Sequence, residues 1–210
     1  MIGLSNLLAF LMLAHCLIRA PWRVIANPGL QHLWLAGCVG LLLVWSVKTG
    51  IKPGLNFHLL GATLLTLMFG PRLAMIGLAA VLLGVTLTGA SGWTSLGINF
   101  LLMAALPVMF SYAVYRQAHR KLPTHVFVYI FIDAFVTAGL AIILCGLAAV
   151  LLLAVSEAYS MHYLGSEYLP YFILMGWSEA MLTGMAVTLM VVYRPQWLAT
   201  FSDQQYVKGW

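Results

Sequence analysis

Residues 50–72 read GIKPGLNFHLLGATLLTLMFGPR. Gly50, Pro53, Gly54 and Asn56 make a turn-rich approach to His58, and an apolar run then ends at Gly70-Pro71. Runs of this kind decide the fold, because they recur along the whole chain. The 210 residues are 63% hydrophobic and only 7% charged. Soluble domains carry about 25% charged residues, so this chain has too little polar surface to cover a globule in water. The runs are continuous rather than alternating, which predicts an all-α polytopic membrane protein and not a barrel.

Working outward from residues 50–72, the apolar runs predict about seven transmembrane helices in one domain, 1–210. They fall near 4–18, 32–47, 59–69, 73–87, 96–115, 127–155 and 169–193, with Gly and Pro marking the turns. The first run lacks the basic lead of a cleavable signal and reads as a retained span, with residue 1 expected to be the true N-terminus. Under an external N-terminus the cytoplasmic segments hold Arg19, Arg23, Arg72, Arg116, Arg120, Lys121, Arg194 and Lys208, against Lys48 and Lys52 outside. The excess of basic residues on the inner side therefore predicts N-terminus outside and C-terminus in the cytoplasm of a bacterial-type inner membrane. The net charge of +5 is explained by span ends and lipid headgroups, so no nucleic acid partner is expected.

This topology puts His58 on the external side. The run 59–69 is about 17 Å of helix at 1.5 Å per residue, well short of a hydrocarbon core of about 30 Å. His58 is then expected to lie below the outer surface. Irregular backbone at that depth must be buried in protein or line a cavity, so an outward-opening pocket follows. Neutral imidazole is the commonest metal ligand, although a hydrogen-bonded interfacial histidine satisfies the same pattern. Asn56, Ser95, Asn99 and Met103 are candidates to line that pocket. Asn99 and Met103 are four residues apart and share a helix face. Asp133 and Glu179 are carboxylates inside apolar runs; such groups face the bundle interior and either find a structural partner or mark an ion path. Cys16, Cys38 and Cys145 are scattered, with no CxxC, and read as packing residues. No nucleophile triad, HExxH, phosphate-binding or dinucleotide-binding motif occurs. The chain is therefore not expected to be an enzyme or to hold an organic cofactor.

Three stretches, FHLLGATLLTLMFGPRLAMIGLAAVLLGVTL, TSLGINFLLMAALPVMFSYAVYR and SEAMLTGMAVTLMVVYRPQW, resemble the CbiM/NikM family. These are the substrate-binding membrane subunits of energy-coupling factor transporters for cobalt and nickel. The resemblance implies a divalent transition metal as substrate and separate ATPase and coupling membrane subunits. It implies metal ligands from the amine of Met1, the backbone at position 2 and His58, with Asn99 near them. Glu179 matches a carboxylate of the last span. The family's second-position histidine is replaced by Ile2, which marks a divergent member. The alternative is a non-transporting assembly or anchoring subunit of another membrane complex that reuses this fold.

Overall fold

In the computed structural model, residues 2–47, 49–52 and 55–206 are described. Among the described residues, six helices are long and apolar enough to cross a membrane: α1 (Ile2–Arg19), α2 (Pro28–Ser46), α3 (Ala62–Leu87), α4 (Trp93–Lys121), α5 (Val126–Val155) and α6 (Met161–Tyr193). Between α2 and α3 lies a small antiparallel hairpin, β1 (Thr49–Lys52) and β2 (Leu55–Phe57). The turn-rich approach is therefore a hairpin, with an irregular register between Gly50 and Lys52.

Helix α3 is not one rod. Gly70 adopts φ 77° and ψ 167°, a conformation open only to glycine, and Pro71 starts a new helical turn where its missing N–H costs nothing. The packing against α2 shows that the chain reverses there. Gly61 lies against Leu41 and Gly84 against Leu42, although about 35 Å would separate the two glycines on an unbroken helix. Gly37 faces Leu65, so residues 62–69 run antiparallel to α2. Trp34 donates to Leu73 O at 3.2 Å and flanks Gly77, so residues 71–87 run parallel to it. The seventh helix expected from the sequence is this first leg. At eight residues, about 12 Å, it is too short to cross a membrane alone.

The two legs of α3 form the centre of the bundle. Leu65, Leu67, Phe69, Leu73 and Leu78 are fully enclosed, and Thr63 meets Ser111 of α4 at 2.8 Å. Helices α1 and α2 are peripheral, with Leu4, Phe10, Ile18, Val39 and Leu43 facing outward, as lipid-facing positions should. Helix α1 is tied to α4 where Gly97 N donates to Asn6 Oδ1 at 2.9 Å. A side chain at Gly97 would collide with the Asn6 backbone. Helices α5 and α6 approach closely through Gly139 and Gly176, the small-residue contact typical of membrane bundles. Two helices differ from expectation at their ends. Helix α4 continues to Lys121, with His119, Arg120 and Lys121 in its last turn, where cations suit the C-terminal dipole. Helix α6 starts at Met161, inside the expected acidic loop, because Ser160 caps its first turn.

Candidate functional site

The short leg of α3 sets the site, because His58 stands four residues before its first turn. Two anchors hold that approach. Gly61 N donates to Glu179 Oε1 at 2.6 Å, and Leu60 N donates to Glu179 Oε2 at 2.9 Å. These are amides at a helix start, which lack intrahelical partners and attract negative charge. Glu179 is only 3% exposed, and its two oxygens are thereby occupied. The second anchor is Phe57, whose ring packs on Tyr168, Tyr171 and Phe172 of α6 at 5.2, 5.2 and 5.6 Å.

His58 itself is half-buried. Its ring lies 4.6 Å from that of Trp45. Its Nδ1 is 3.3 Å from Leu59 O. A carbonyl only accepts, so Nδ1 carries the hydrogen and Nε2 carries the lone pair. Burial in the protein, partly offset by the Leu59 carbonyl, pushes the His58 pKa down to about 4. The ring is therefore neutral at ordinary pH, the form that binds metals.

His58 lines a cavity of about 460 Å³. Ser95, Asn99 and Met103 of α4 line the same cavity, so four candidates from two separate stretches of the chain are brought together. Asn99 Nδ2 donates to Ser91 Oγ at 3.0 Å, which fixes the 88–92 loop as a wall and leaves the amide oxygen without a protein partner among the described residues. The remaining walls were not legible as site residues: Trp45 from α2, Leu82 and Val85 from α3, Cys145 from α5, Tyr168 and Phe172 from α6. Buried in apolar runs, they carried no signal beyond the placement of aromatics near span ends. Two stretches of the lining, around Met103 and at Tyr168, sit on π-helical turns, which recur at functional sites.

Other candidates fall elsewhere. Ile2 is 56% exposed and does not line the cavity. Met1 lies outside the described residues, as does the side chain of Asn56. Asp133 is buried at the opposite end of the bundle, among Tyr115, Tyr129 and Tyr206, and its Oδ1 has no partner among the described residues. It does not pair with Glu179. No group of three or more His, Cys, Asp or Glu able to hold a metal ion occurs among the described residues.

The opposite end of the short leg is held as firmly as its start. Ala199 N donates to Met68 O at 3.0 Å and Thr200 N to Leu67 O at 3.3 Å. Thr200 Oγ1 also donates to Leu67 O at 2.9 Å, and Tyr129 meets that hydroxyl at 2.7 Å. The tail after α6 thus satisfies the end carbonyls of a helix whose start is held by α6 itself.

Comparison with known proteins locates this architecture. The family model for the cobalt uptake substrate-specific transmembrane region, CbiM, matches residues 1–197. A cobalt transport protein CbiM from Listeria seeligeri is 36% identical over 134 residues, which is 63% of this chain and 53% of the relative; the match spans about half of that protein's length. The solved structure of a truncated transition metal transporter has the same fold, with a TM-score of 0.76 at 20% identity, covering 91% of this chain and 94% of that one. A second transition metal transporter structure matches with a TM-score of 0.75, also at 20% identity, over 91% and 88% of the two chains.

Proposed function

The chain belongs to the CbiM family, a family of transporter membrane components and not of enzymes, and from that premise we propose that it binds a divalent transition metal, cobalt or nickel, for uptake. The observation that carries this reading is the placement of His58. A neutral imidazole stands on a cavity of about 460 Å³, held there by the Glu179 carboxylate through the amides of Leu60 and Gly61. In this reading the cavity opens to the outer side of the inner membrane, with the C-terminal tail on the cytoplasmic side, as the basic residues favour. His58 supplies a strong nitrogen donor, Asn99 the nearby amide oxygen, and the Met1–Ile2 backbone is the remaining candidate from the chain. Glu179 acts by positioning. The chain carries no phosphate-binding motif, so the energy for uptake comes from separate ATPase and coupling subunits.

Cobalt(II) and nickel(II) binding to the purified protein in detergent, compared with His58→Ala, tests the site. The wild type is expected to bind at least about tenfold more tightly, a difference of about 1.4 kcal/mol. Equal affinity in the two proteins overturns it.

A further inference from the structure

His58 owes its place to two backbone anchors, but neither anchor touches its ring. Glu179 holds the amides of Leu60 and Gly61, and Phe57 packs on α6. The rotation of the imidazole about its own side-chain bonds is still to be fixed. Its contact to Leu59 O is 3.3 Å, longer than the usual range of about 2.7–3.2 Å for N–H···O bonds, and is too weak to hold the ring by itself.

The remaining restraint comes from α2. Gly37 faces Leu65, and Leu41 lies against Gly61. Trp45 then meets His58. Gly37, Leu41 and Trp45 follow one another at steps of four residues, so they share one face of α2. Their partners run backward along the chain, from Leu65 through Gly61 to His58. The short leg and its approach are thus zipped antiparallel to α2, and the pair Trp45–His58 is the last contact of the series. Strand β2 feeds the same arrangement. Successive residues of an extended chain point to opposite sides, so with Phe57 set against α6, His58 faces α2. Trp45 is itself enclosed, 4% exposed in the last turn of α2. Its ring centre lies 4.6 Å from that of His58 at a tilt of 35°, the close end of the roughly 4.5–7 Å that aromatic pairs adopt. Both residues line the cavity.

We propose that Trp45 is a positioning residue of the metal site: its indole face sets the rotation of the His58 ring and so aims Nε2 at the metal. The inference rests on the reading of the cavity as a transition-metal site. An imidazole free to turn must give up that freedom on binding, and freezing one such side chain costs a factor of about three to ten in affinity. With Trp45 in place the ring is ordered on folding instead. The stack also has a spectroscopic consequence. A metal about 2.1 Å from Nε2 stands within about 8 Å of the indole centre, given the 4.6 Å between the rings. Cobalt(II), with its partly filled d shell, quenches the fluorescence of a tryptophan that close.

The test is cobalt(II) titration of the full chain in detergent, read by equilibrium dialysis and by tryptophan fluorescence, for the wild type, Trp45→Phe and Trp45→Leu. Melting temperatures are measured alongside. Trp45→Phe keeps an aromatic face, so its affinity is expected within about twofold of the wild type, whereas Trp45→Leu should lose about three- to tenfold. Both variants leave space in the wall and should melt lower than the wild type. A merely structural role would make affinity follow melting temperature rather than the aromatic face. Of the seven tryptophans, Trp45 is expected to carry most of the cobalt quench, so Trp45→Phe should bind cobalt and lose most of the signal. Wild-type affinity in Trp45→Leu overturns the proposal and leaves the metal reading standing, as does an equal loss in both variants. A quench that persists in Trp45→Phe overturns the placement of the indole beside the metal, and it decides the matter should Trp45→Leu not fold. A wild type that binds no cobalt overturns the metal reading itself, and this proposal with it.

Discussion

Gly61 N–H donates to Glu179 Oε1 at 2.6 Å across 118 residues of chain, and Leu60 N–H donates to the other oxygen at 2.9 Å. One carboxylate in the last helix therefore fixes the backbone on which His58 stands. Glu179→Gln keeps one acceptor and turns an NH₂ toward a second donor, so a loss of about 1–3 kcal/mol is expected, and more for Glu179→Ala, which leaves both amides bare. Thermal unfolding in detergent reads the stability, and cobalt titration reads the site. Both should fall together. A lower melting temperature with unchanged cobalt affinity would separate Glu179 from the positioning of His58.

Gly70→Ala isolates the reversal in α3. No atom stands within 4 Å of the position a Cβ would take, so space is not the issue; the cost is the φ of 77° alone. A loss of about 1–3 kcal/mol is expected. A variant as stable as the wild type would show that the backbone there can relax, and that the reversal does not depend on glycine.

How far these features could be read from the chain depends on their range. The Gly70-Pro71 reversal was legible because both residues act locally, one by its φ and the other by its missing N–H. The gathering of His58, Ser95, Asn99 and Met103 was legible in outline, since short-span arithmetic and shared helix faces place them near one end. The partner of Glu179 was not. A carboxylate in an apolar run announces that it needs a partner, and the chain could only offer an ion path or an unnamed polar group. Backbone amides more than a hundred residues away leave no periodicity to read. The same holds for Ala199 and Thr200 on the carbonyls of Met68 and Leu67, and for Trp45 and Cys145 in the cavity wall.

The pH response follows from the burial of His58. Its pKa falls from 6.5 to about 4 in the folded protein, so between those values the unfolded chain binds more protons. The corresponding stability is present in full above about pH 6.5 and is lost as pH falls toward 4. His58→Gln should lack this slope in detergent melts. Cobalt affinity that depends on His58 should stay flat from pH 8 to about pH 5. An affinity that declines already near pH 6.5 would show an imidazole with ordinary solvation.

Thr200→Val removes a hydroxyl that donates to Leu67 O at 2.9 Å and meets Tyr129 at 2.7 Å. A loss of roughly 1–2 kcal/mol is expected. Hydrogen exchange should quicken across residues 62–69 ahead of the rest of the bundle. Faster exchange confined to the tail would show that the leg does not need it.

The double grip on the short leg also orders events during synthesis. Residues 60–69 leave the ribosome long before Glu179, and longer still before Ala199 and Thr200. Until those arrive, the leg's first amides and last carbonyls lack these partners. The stretch bearing His58 is thus translated early but locked late, and a chain cut short before residue 199 is made with all its long apolar helices and without the clasp that closes its centre.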